Sequence, residues 1–221
     1  LEVAPDLHIG HAVAEGSAID MLLEMSKEST MVVMGSRGLS GISGMVLGSV
    51  SGAVVSHASC PVVVVREDNA VTEENKYGPV VVGVDGSEVS RRATEVAFEE
   101  AAARGAELHA VHTWVDTQIQ GPGAGYAVSE DHWKAVQAEK DELLSSYLNE
   151  LSEQYPDVVV KKAITRDRPV RALAAAAQGA QLLVTGSHGR GGFKGMLLGS
   201  TSRALLQEAP CPMMVVRTQD L

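Results

Sequence analysis

Glycine and serine residues recur at a spacing suited to holding a phosphate group. Gly186, Gly189 and the pair Gly199-Ser200 form the pattern G-x2-G-x9-G-S, and Thr201 follows directly. A glycine-rich loop between a strand and a helix exposes backbone N–H groups and lets a phosphate approach without Cβ clashes. The Ser200 and Thr201 hydroxyls can donate further hydrogen bonds to phosphate oxygens. The pattern therefore predicts an anion-binding loop.

The same pattern occurs a second time, 151 residues earlier, at Gly35, Gly38 and Gly48-Ser49. Val50 replaces the second hydroxyl there, so this loop offers one donor fewer. A single motif of this kind is explained equally well by turns, because glycine is common in strand-to-helix loops. Because both copies keep the same spacing of glycine and serine, we favour nucleotide or phosphate binding. Neither copy is a Walker A loop or a G-x-G-x-x-G fingerprint.

Other residues of these loops are weaker candidates for ligand contact. Ser36 and Ser187 follow the first glycine of each loop, and His188 and Arg190 flank the second glycine of the later loop. A cationic side chain here can meet phosphate charge. The alternative is a solvated loop tip.

An aspartate follows the first apolar strand of the second copy, in the run Gly83-Val84-Asp85-Gly86-Ser87. Ligands of open α/β sheets bind at the carboxyl ends of strands, where the strand order reverses. Asp85 can there accept hydrogen bonds from a ribose hydroxyl or help to hold a metal beside a phosphate. The alternative is that it caps the helix beginning near Ser90.

These residues lie within a duplicated unit, because residues 5–66 align without a gap to residues 156–217. Each copy predicts an extended stretch, a helix, a short buried strand, the glycine loop, a helix and a final strand. The predicted segments are Leu7–Val13, Ala18–Lys27, Met31–Met34, Ser49–His57 and Val62–Val65, and then Val158–Ile164, Pro169–Gln178, Leu182–Thr185, Ser200–Glu208 and Met213–Val216.

The second copy has further elements before its extended stretch. A polar linker, Glu67–Gly78, leads into a strand, a helix, a second strand and a long amphipathic helix. These are predicted at Val80–Val84, Ser90–Arg104, Leu108–Trp114 and Asp131–Tyr155. Strands that alternate with helices indicate an α/β protein with a parallel sheet.

Composition excludes several classes of protein. The chain has 221 residues and a formal net charge of −10, which argues against a general nucleic-acid or anionic-membrane surface. Its two cysteines, Cys60 and Cys211, form neither a zinc motif nor a disulfide framework, and packing explains them best. No apolar run approaches the roughly 20 residues of a membrane span, and we expect a cytoplasmic protein.

Together the Val-Asp-Gly-Ser strand end, the duplicated glycine loop and the Cys-Pro before each last strand resemble the universal stress protein family. The resemblance implies a Rossmann-like open parallel sheet of five strands, ordered 3-2-1-4-5, with helices on both faces. It implies ATP as the ligand, with Mg²⁺ as a possible companion and ADP or AMP as alternatives. Val84 and Asp85 would then lie against the nucleotide, Thr113 would border the adenine, and Gly186, Gly189, Gly199, Ser200 and Thr201 would hold the phosphates.

The first copy matches only the back half of such a domain. We therefore expect residues 1–66 to be an incomplete first domain, 67–78 a linker and 79–221 a complete second domain. In the order 3-2-1-4-5 the first copy would have a gap two strands wide, so we expect an upstream segment to fill it. The last strands, Val62–Val65 and Met213–Val216, would be sheet edges, and we predict that they pair with each other.

Three functions fit these features. The favoured hypothesis is an ATP-binding stress-response regulator in which the nucleotide is a sensed or structural ligand with slow hydrolysis at most, since no catalytic base or lysine is evident near the loop. An alternative is a slow ATPase that uses Asp85 and Mg²⁺. The other is an interaction scaffold with non-functional loops; a homo-oligomer is compatible with each.

Overall fold

The computed structural model of the chain describes residues 6–37, 47–114, 130–190 and 197–218. Within these ranges the chain forms six helices and seven strands. They are α1 (Ala18–Ser26), β1 (Val32–Gly35), α2 (Ser49–His57), β2 (Val62–Val65), β3 (Val80–Gly83), α3 (Glu88–Arg104), β4 (Leu108–Thr113), α4 (Glu130–Gln154), β5 (Val160–Thr165), α5 (Pro169–Ala176), β6 (Leu182–Gly186), α6 (Ser200–Glu208) and β7 (Met213–Val216).

All seven strands belong to one sheet, in the order β1-β2-β7-β6-β3-β4-β5. The second copy supplies β5-β4-β3-β6-β7, all parallel, which is the order 3-2-1-4-5 within that copy. The predicted Rossmann-like α/β class is confirmed. The sheet differs from the prediction in its extent, because two strands of the first copy continue it beyond five.

The sheet is the middle of three layers. Helices α1, α2, α5 and α6 pack on one face, around Val54, Leu173 and Leu205. Helices α3 and α4 pack on the other face, around Phe98 and Leu148. The central strands β3, β6 and β7 are almost continuously apolar because a parallel strand covered on both faces has no polar side.

The two copies meet where β2 pairs antiparallel with β7. Val62 lies opposite Val215, Val63 opposite Met214 and Val64 opposite Met213. Every other strand pair of the sheet is parallel. The change of direction therefore marks the boundary between the copies.

The extended stretch predicted at Leu7–Val13 is not a strand; this prediction was wrong. Residues 7–14 are irregular, Leu7 is 61% exposed, and Val13 is fully exposed. In the second copy the corresponding strand, β5, pairs with β4. The first copy has no counterpart of β4 in this sequence, so its stretch has no neighbour to bond with.

Candidate functional site

A cavity of about 510 Å³ opens at the carboxyl ends of β3, β4 and β6. The order of the second copy reverses between β3 and β6, and open α/β sheets place their ligands at such a point. The structure brings nine of the predicted site residues to its wall: Val84, Asp85, Thr113, Gly186, His188, Gly189, Gly199, Ser200 and Thr201.

One end of the cavity is the beginning of α6. Gly199 is the N-cap residue in an extended conformation, and it carries no side-chain cap. Its N–H donates to the Ser187 carbonyl at 2.7 Å, and the Ser202 hydroxyl donates to the Gly186 carbonyl at 2.7 Å. These bonds tie the helix start to the end of β6. The first-turn N–H groups of a helix have no acceptor within it, and Gly199, Ser200 and Thr201 of this first turn line the cavity.

Asp85 follows the end of β3, lines the cavity and contacts the glycine loop directly. Its Oδ1 accepts from the Ser87 N–H at 2.9 Å and from the Ser87 hydroxyl at 2.6 Å. Its Oδ2 accepts from the Arg190 N–H at 3.0 Å. The N-cap of α3 is Ser87, whose hydroxyl accepts from the Ser90 N–H. Asp85 therefore does not cap the helix; it joins the end of β3 to the glycine loop.

The charge state of Asp85 follows from these contacts. Burial raises the pKa of this carboxyl, but the hydrogen bonds from Ser87 and from the Arg190 N–H outweigh burial and bring the pKa below its ordinary value. Asp85 is thus an anion at neutral pH. Gly189 lies so close to the Asp85 carboxylate that a Cβ at residue 189 would be 2.5 Å from Asp85 Oδ2. A glycine at this position therefore allows the carboxylate to approach the loop.

A buried histidine positions the strand ends. The His112 ring Nδ1 bonds to the Val84 carbonyl at 2.7 Å, which fixes the residue before Asp85. On β4, Thr113 follows His112 directly and is half-buried at the cavity wall. The end of β4 is in turn paired with β5, where Thr113 lies opposite Thr165.

Two loop residues differ in how they relate to the cavity. His188 lines it, and burial together with the nearby charge of Arg217 lowers the pKa of its imidazole. Ser187 is buried beneath the loop, with its hydroxyl 2.9 Å from His188 Nδ1, and it is not among the cavity-lining residues. Ser187 therefore shapes the loop in this structure rather than facing the cavity.

The opposite end of the cavity is apolar. Gly83, Val111, Pro169 and Leu173 line it. Thr185, the last residue before the glycine loop, lines the same region and was not singled out from the sequence. The available signal was its position in the repeat: 151 residues earlier the apolar Met34 occupies this place.

The described residues do not form a metal site of the protein's own. No group of three or more His, Cys, Asp or Glu side chains converges in the described ranges. Asp85 is the cavity's acidic residue, and both of its oxygens already accept protein hydrogen bonds. A carboxylate has about four acceptor positions, so Asp85 retains one, and its part in holding Mg²⁺ stays a prediction.

The first copy repeats the loop scaffold. The Gly48 N–H donates to the Ser36 carbonyl at 2.9 Å, and the Ser51 hydroxyl donates to the Gly35 carbonyl at 2.9 Å. Ser49 and Val50 open α2 as Ser200 and Thr201 open α6. Gly38 lies outside the described residues. These residues reproduce the strand end and the helix start of the second copy's loop, and the alignment of the two sequences gives Val84, Asp85 and Thr113 no counterpart in residues 5–66.

The fold and the cavity define an open α/β protein with a cavity at a switch point of strand order. The profile of the universal stress protein family matches residues 2–66 and 76–217. Universal stress protein Rv2005c of Mycobacterium tuberculosis is 46% identical over 200 residues, which cover 90% of this chain and 65% of that protein. Universal stress protein Rv1996 of the same species is 43% identical over 206 residues, covering 93% and 64%.

The chain belongs to the universal stress protein family. Among solved structures, a universal stress protein from Archaeoglobus fulgidus has a TM-score of 0.60 and 26% identity, and the match covers 91% of this chain and 66% of that one. A protein from Pseudomonas aeruginosa described as functionally unknown shares the fold, with a TM-score of 0.64 and 17% identity. This chain spans less than two thirds of the length of Rv2005c and of Rv1996. Within the described ranges, no helix combines the length and apolar character of a bilayer span.

Proposed function

We propose that this chain binds an adenine nucleotide, with ATP as the favoured ligand, in the cavity at the ends of β3, β4 and β6. The nucleotide acts as a sensed or structural ligand of a stress-response regulator. One observation carries the proposal: the start of α6, the Asp85 carboxylate and an apolar floor all face one cavity.

The polarity of the cavity matches the two ends of a nucleotide. Backbone N–H groups and the Ser200 and Thr201 hydroxyls suit phosphate oxygens. Val111, Pro169 and Leu173 suit the faces of a base at the other end. A volume of about 510 Å³ falls in the range of small-molecule sites.

We propose that hydrolysis is slow at most. A hydrolase needs a base that can activate water beside the phosphate. The Asp85 carboxylate accepts two hydrogen bonds from Ser87 and one from the Arg190 N–H of the glycine loop, and its lowered pKa makes it a weak base. A slow ATPase that uses Asp85 would lose its turnover in Asp85→Ala.

We also propose that the two copies act as a paired unit, with domain limits near residues 66 and 79. The β2–β7 register supports this arrangement. The first copy would complete its own site only with residues equivalent to β3 and β4. A cytoplasmic location and a homo-oligomer stay predictions.

The first experiment identifies any nucleotide that the purified protein carries. The protein is denatured, the released small molecules are analysed by mass spectrometry, and nucleotide-free protein is titrated with ATP, ADP and AMP by calorimetry. Co-purified ATP, or a saturable ATP isotherm, is the expected result. Protein that carries no nucleotide and binds none of the three would overturn the proposal and favour an interaction scaffold.

A matched pair of variants locates the site. In Gly199→Ala and Gly48→Ala the new Cβ lies 3.3 Å from the Ser187 or the Ser36 carbonyl respectively, so the local crowding is alike. Only Gly199 belongs to the complete cavity. We expect Gly199→Ala to weaken ATP binding about tenfold or more, and Gly48→Ala to leave it unchanged. Equal losses in both variants would place the site elsewhere.

A further inference from the structure

The Thr185 hydroxyl is a buried polar group without a hydrogen-bond partner among the described residues. The residue is 5% exposed and lines the cavity. Leaving a buried hydroxyl unpaired destabilises a folded protein, so such a group calls for an explanation.

The surroundings of Thr185 are apolar. On β6, Val184 pairs with Val82 of β3, which sets Thr185 beside Gly83. Gly83 has no side chain, and Leu173 lies within 3.1 Å of where its Cβ would be. Thr185 therefore lies at the boundary between the apolar floor and the glycine loop that begins at Gly186.

The hydroxyl is not required for the fold of this unit. In the first copy Met34 occupies the equivalent place at the end of β1, before the equivalent loop and helix. Both copies form this strand. In both, the N–H of the glycine at the helix start donates to the carbonyl of the serine in the loop, and a serine hydroxyl of the helix donates to the glycine carbonyl at the strand end. An apolar side chain thus supports this scaffold as well as threonine does.

We propose that the Thr185 hydroxyl hydrogen-bonds to a ribose hydroxyl of the bound nucleotide and so selects ligands that carry one. The inference rests on the proposed function. In a nucleotide the sugar joins the phosphates to the base, and Thr185 lies where the loop end of the cavity meets its apolar floor. A rotation about the Cα–Cβ bond exchanges the hydroxyl and the methyl group between staggered positions, which lets the hydroxyl face the ligand.

The test compares three variants and three ligands by calorimetry. Thr185→Val removes the hydroxyl at nearly constant shape, Thr185→Met introduces the residue of the first copy, and Thr185→Ser retains the hydroxyl. The ligands are ATP, 2′-deoxy-ATP and 3′-deoxy-ATP. We expect the valine and methionine variants to bind ATP about threefold to tenfold more weakly, and the serine variant to bind within about twofold of the unchanged protein.

The two deoxy ligands identify the partner atom. One of the two deoxy ligands should bind the unchanged protein as weakly as ATP binds Thr185→Val. The same deoxy ligand should bind Thr185→Val no more weakly than it binds the unchanged protein, because the hydrogen bond is already lost whether the protein or the ligand lacks its hydroxyl. The melting temperature of the nucleotide-free protein should stay equal or rise in Thr185→Val, since an unpaired buried hydroxyl is removed. A purely structural hydroxyl would lower it.

The remaining outcomes distinguish failure of the proposed function from failure of this inference. An unchanged protein that binds no nucleotide removes the proposed function and this inference with it. If that protein binds ATP and Thr185→Val binds equally well, the inference alone fails. If Thr185→Val binds ATP weakly but both deoxy ligands bind the unchanged protein as tightly as ATP does, the ribose is not the partner. The same holds if the loss of affinity from the missing ribose hydroxyl adds to the loss from Thr185→Val.

Discussion

Asp85 shows how one side chain can serve the fold and the ligand site together. Its carboxylate joins the end of β3 to the glycine loop through Ser87 and Arg190. The lowered pKa means that the charged form is the one that the folded protein stabilises. Because the folded pKa lies below the unfolded one, this contribution is present above the ordinary value of 3.8 and is lost as the pH falls through the folded pKa.

Replacing this carboxylate should therefore lower the stability of the folded protein by an amount that depends on pH. We expect Asp85→Asn to lower the free energy of unfolding by roughly 1–3 kcal/mol near neutral pH, because hydrogen bonds to a charged acceptor are lost. The difference from the unchanged protein should shrink as the pH falls below 3.8. Urea denaturation at a series of pH values measures it, and a difference independent of pH would contradict the assignment.

The two cysteines should be inert in the folded protein. Cys60 and Cys211 are buried, burial raises the pKa of both thiols, and that of Cys211 reaches about 12. The thiolate is the reactive form, so neither is available near neutral pH. We expect Ellman's reagent at pH 8 to label neither thiol in native protein and both in denaturant. Stoichiometric labelling of the native protein would contradict the burial.

Among the elements, the start of β3 depends on a close backbone contact. A Cβ at Gly78, where the linker ends, would collide with the Gly179 carbonyl in the turn after α5. Substitution there must move one of the two segments. Gly10 offers a control, because nothing lies within 4 Å of its Cβ position and its φ is not positive.

We expect Gly78→Ala to lower the free energy of unfolding by about 2–4 kcal/mol, and Gly10→Ala to change it by less than about 0.5 kcal/mol. Chemical denaturation followed by circular dichroism measures both. Equal stability of the two variants would mean that the linker end is not held against the turn.

Elements bounded by local sequence signals were predictable, and a strand that needs a pairing neighbour was not. Strands β2 and β7 and helices α2 and α6 begin and end where the sequence predicts, because proline, glycine and a short apolar run bound each of them. The stretch 7–13 carries the same extended pattern as β5, but a strand forms only where a neighbour pairs with it. The pattern of residues within a segment does not show whether a neighbouring strand is present to pair with it.

The candidate site shows the same division. The glycine spacing identified Gly186, Gly189, Gly199, Ser200 and Thr201 of the cavity wall, and the end of the first apolar strand identified Asp85. Thr185 was missed because its significance lies in an absent hydrogen bond, which appears only once the side chain is buried. The burial of Ser187 likewise follows from the path of the loop and not from its residue type.

All seven strands of the described ranges belong to one sheet, and we expect the chain to unfold as one unit. Val64 is 1% exposed on β2, whereas Val33 on β1 is 62% exposed. Both tryptophans, Trp114 and Trp133, belong to the second copy. Their fluorescence therefore reports whether a change in the first copy reaches the second.

Val64→Asp should lower the unfolding free energy by about 3–5 kcal/mol, because it buries a charge without a partner. Fluorescence and circular dichroism should then shift together, whereas Val33→Asp should change little, with an effect within about 0.5 kcal/mol. A fluorescence transition that does not move in Val64→Asp would show that the second copy folds independently.

The β2–β7 junction has a consequence for how such a chain can diverge. Val63 faces Met214, the residue that occupies its own place in the other copy, so a local two-fold axis passes between them. In a two-fold dimer of identical subunits, every mutation is present twice, once in each subunit. In a fused chain a mutation is present once, so one half can change while the other keeps the original residue. Met34 and Thr185 differ in this way, at equivalent places in two halves that no longer have to be alike.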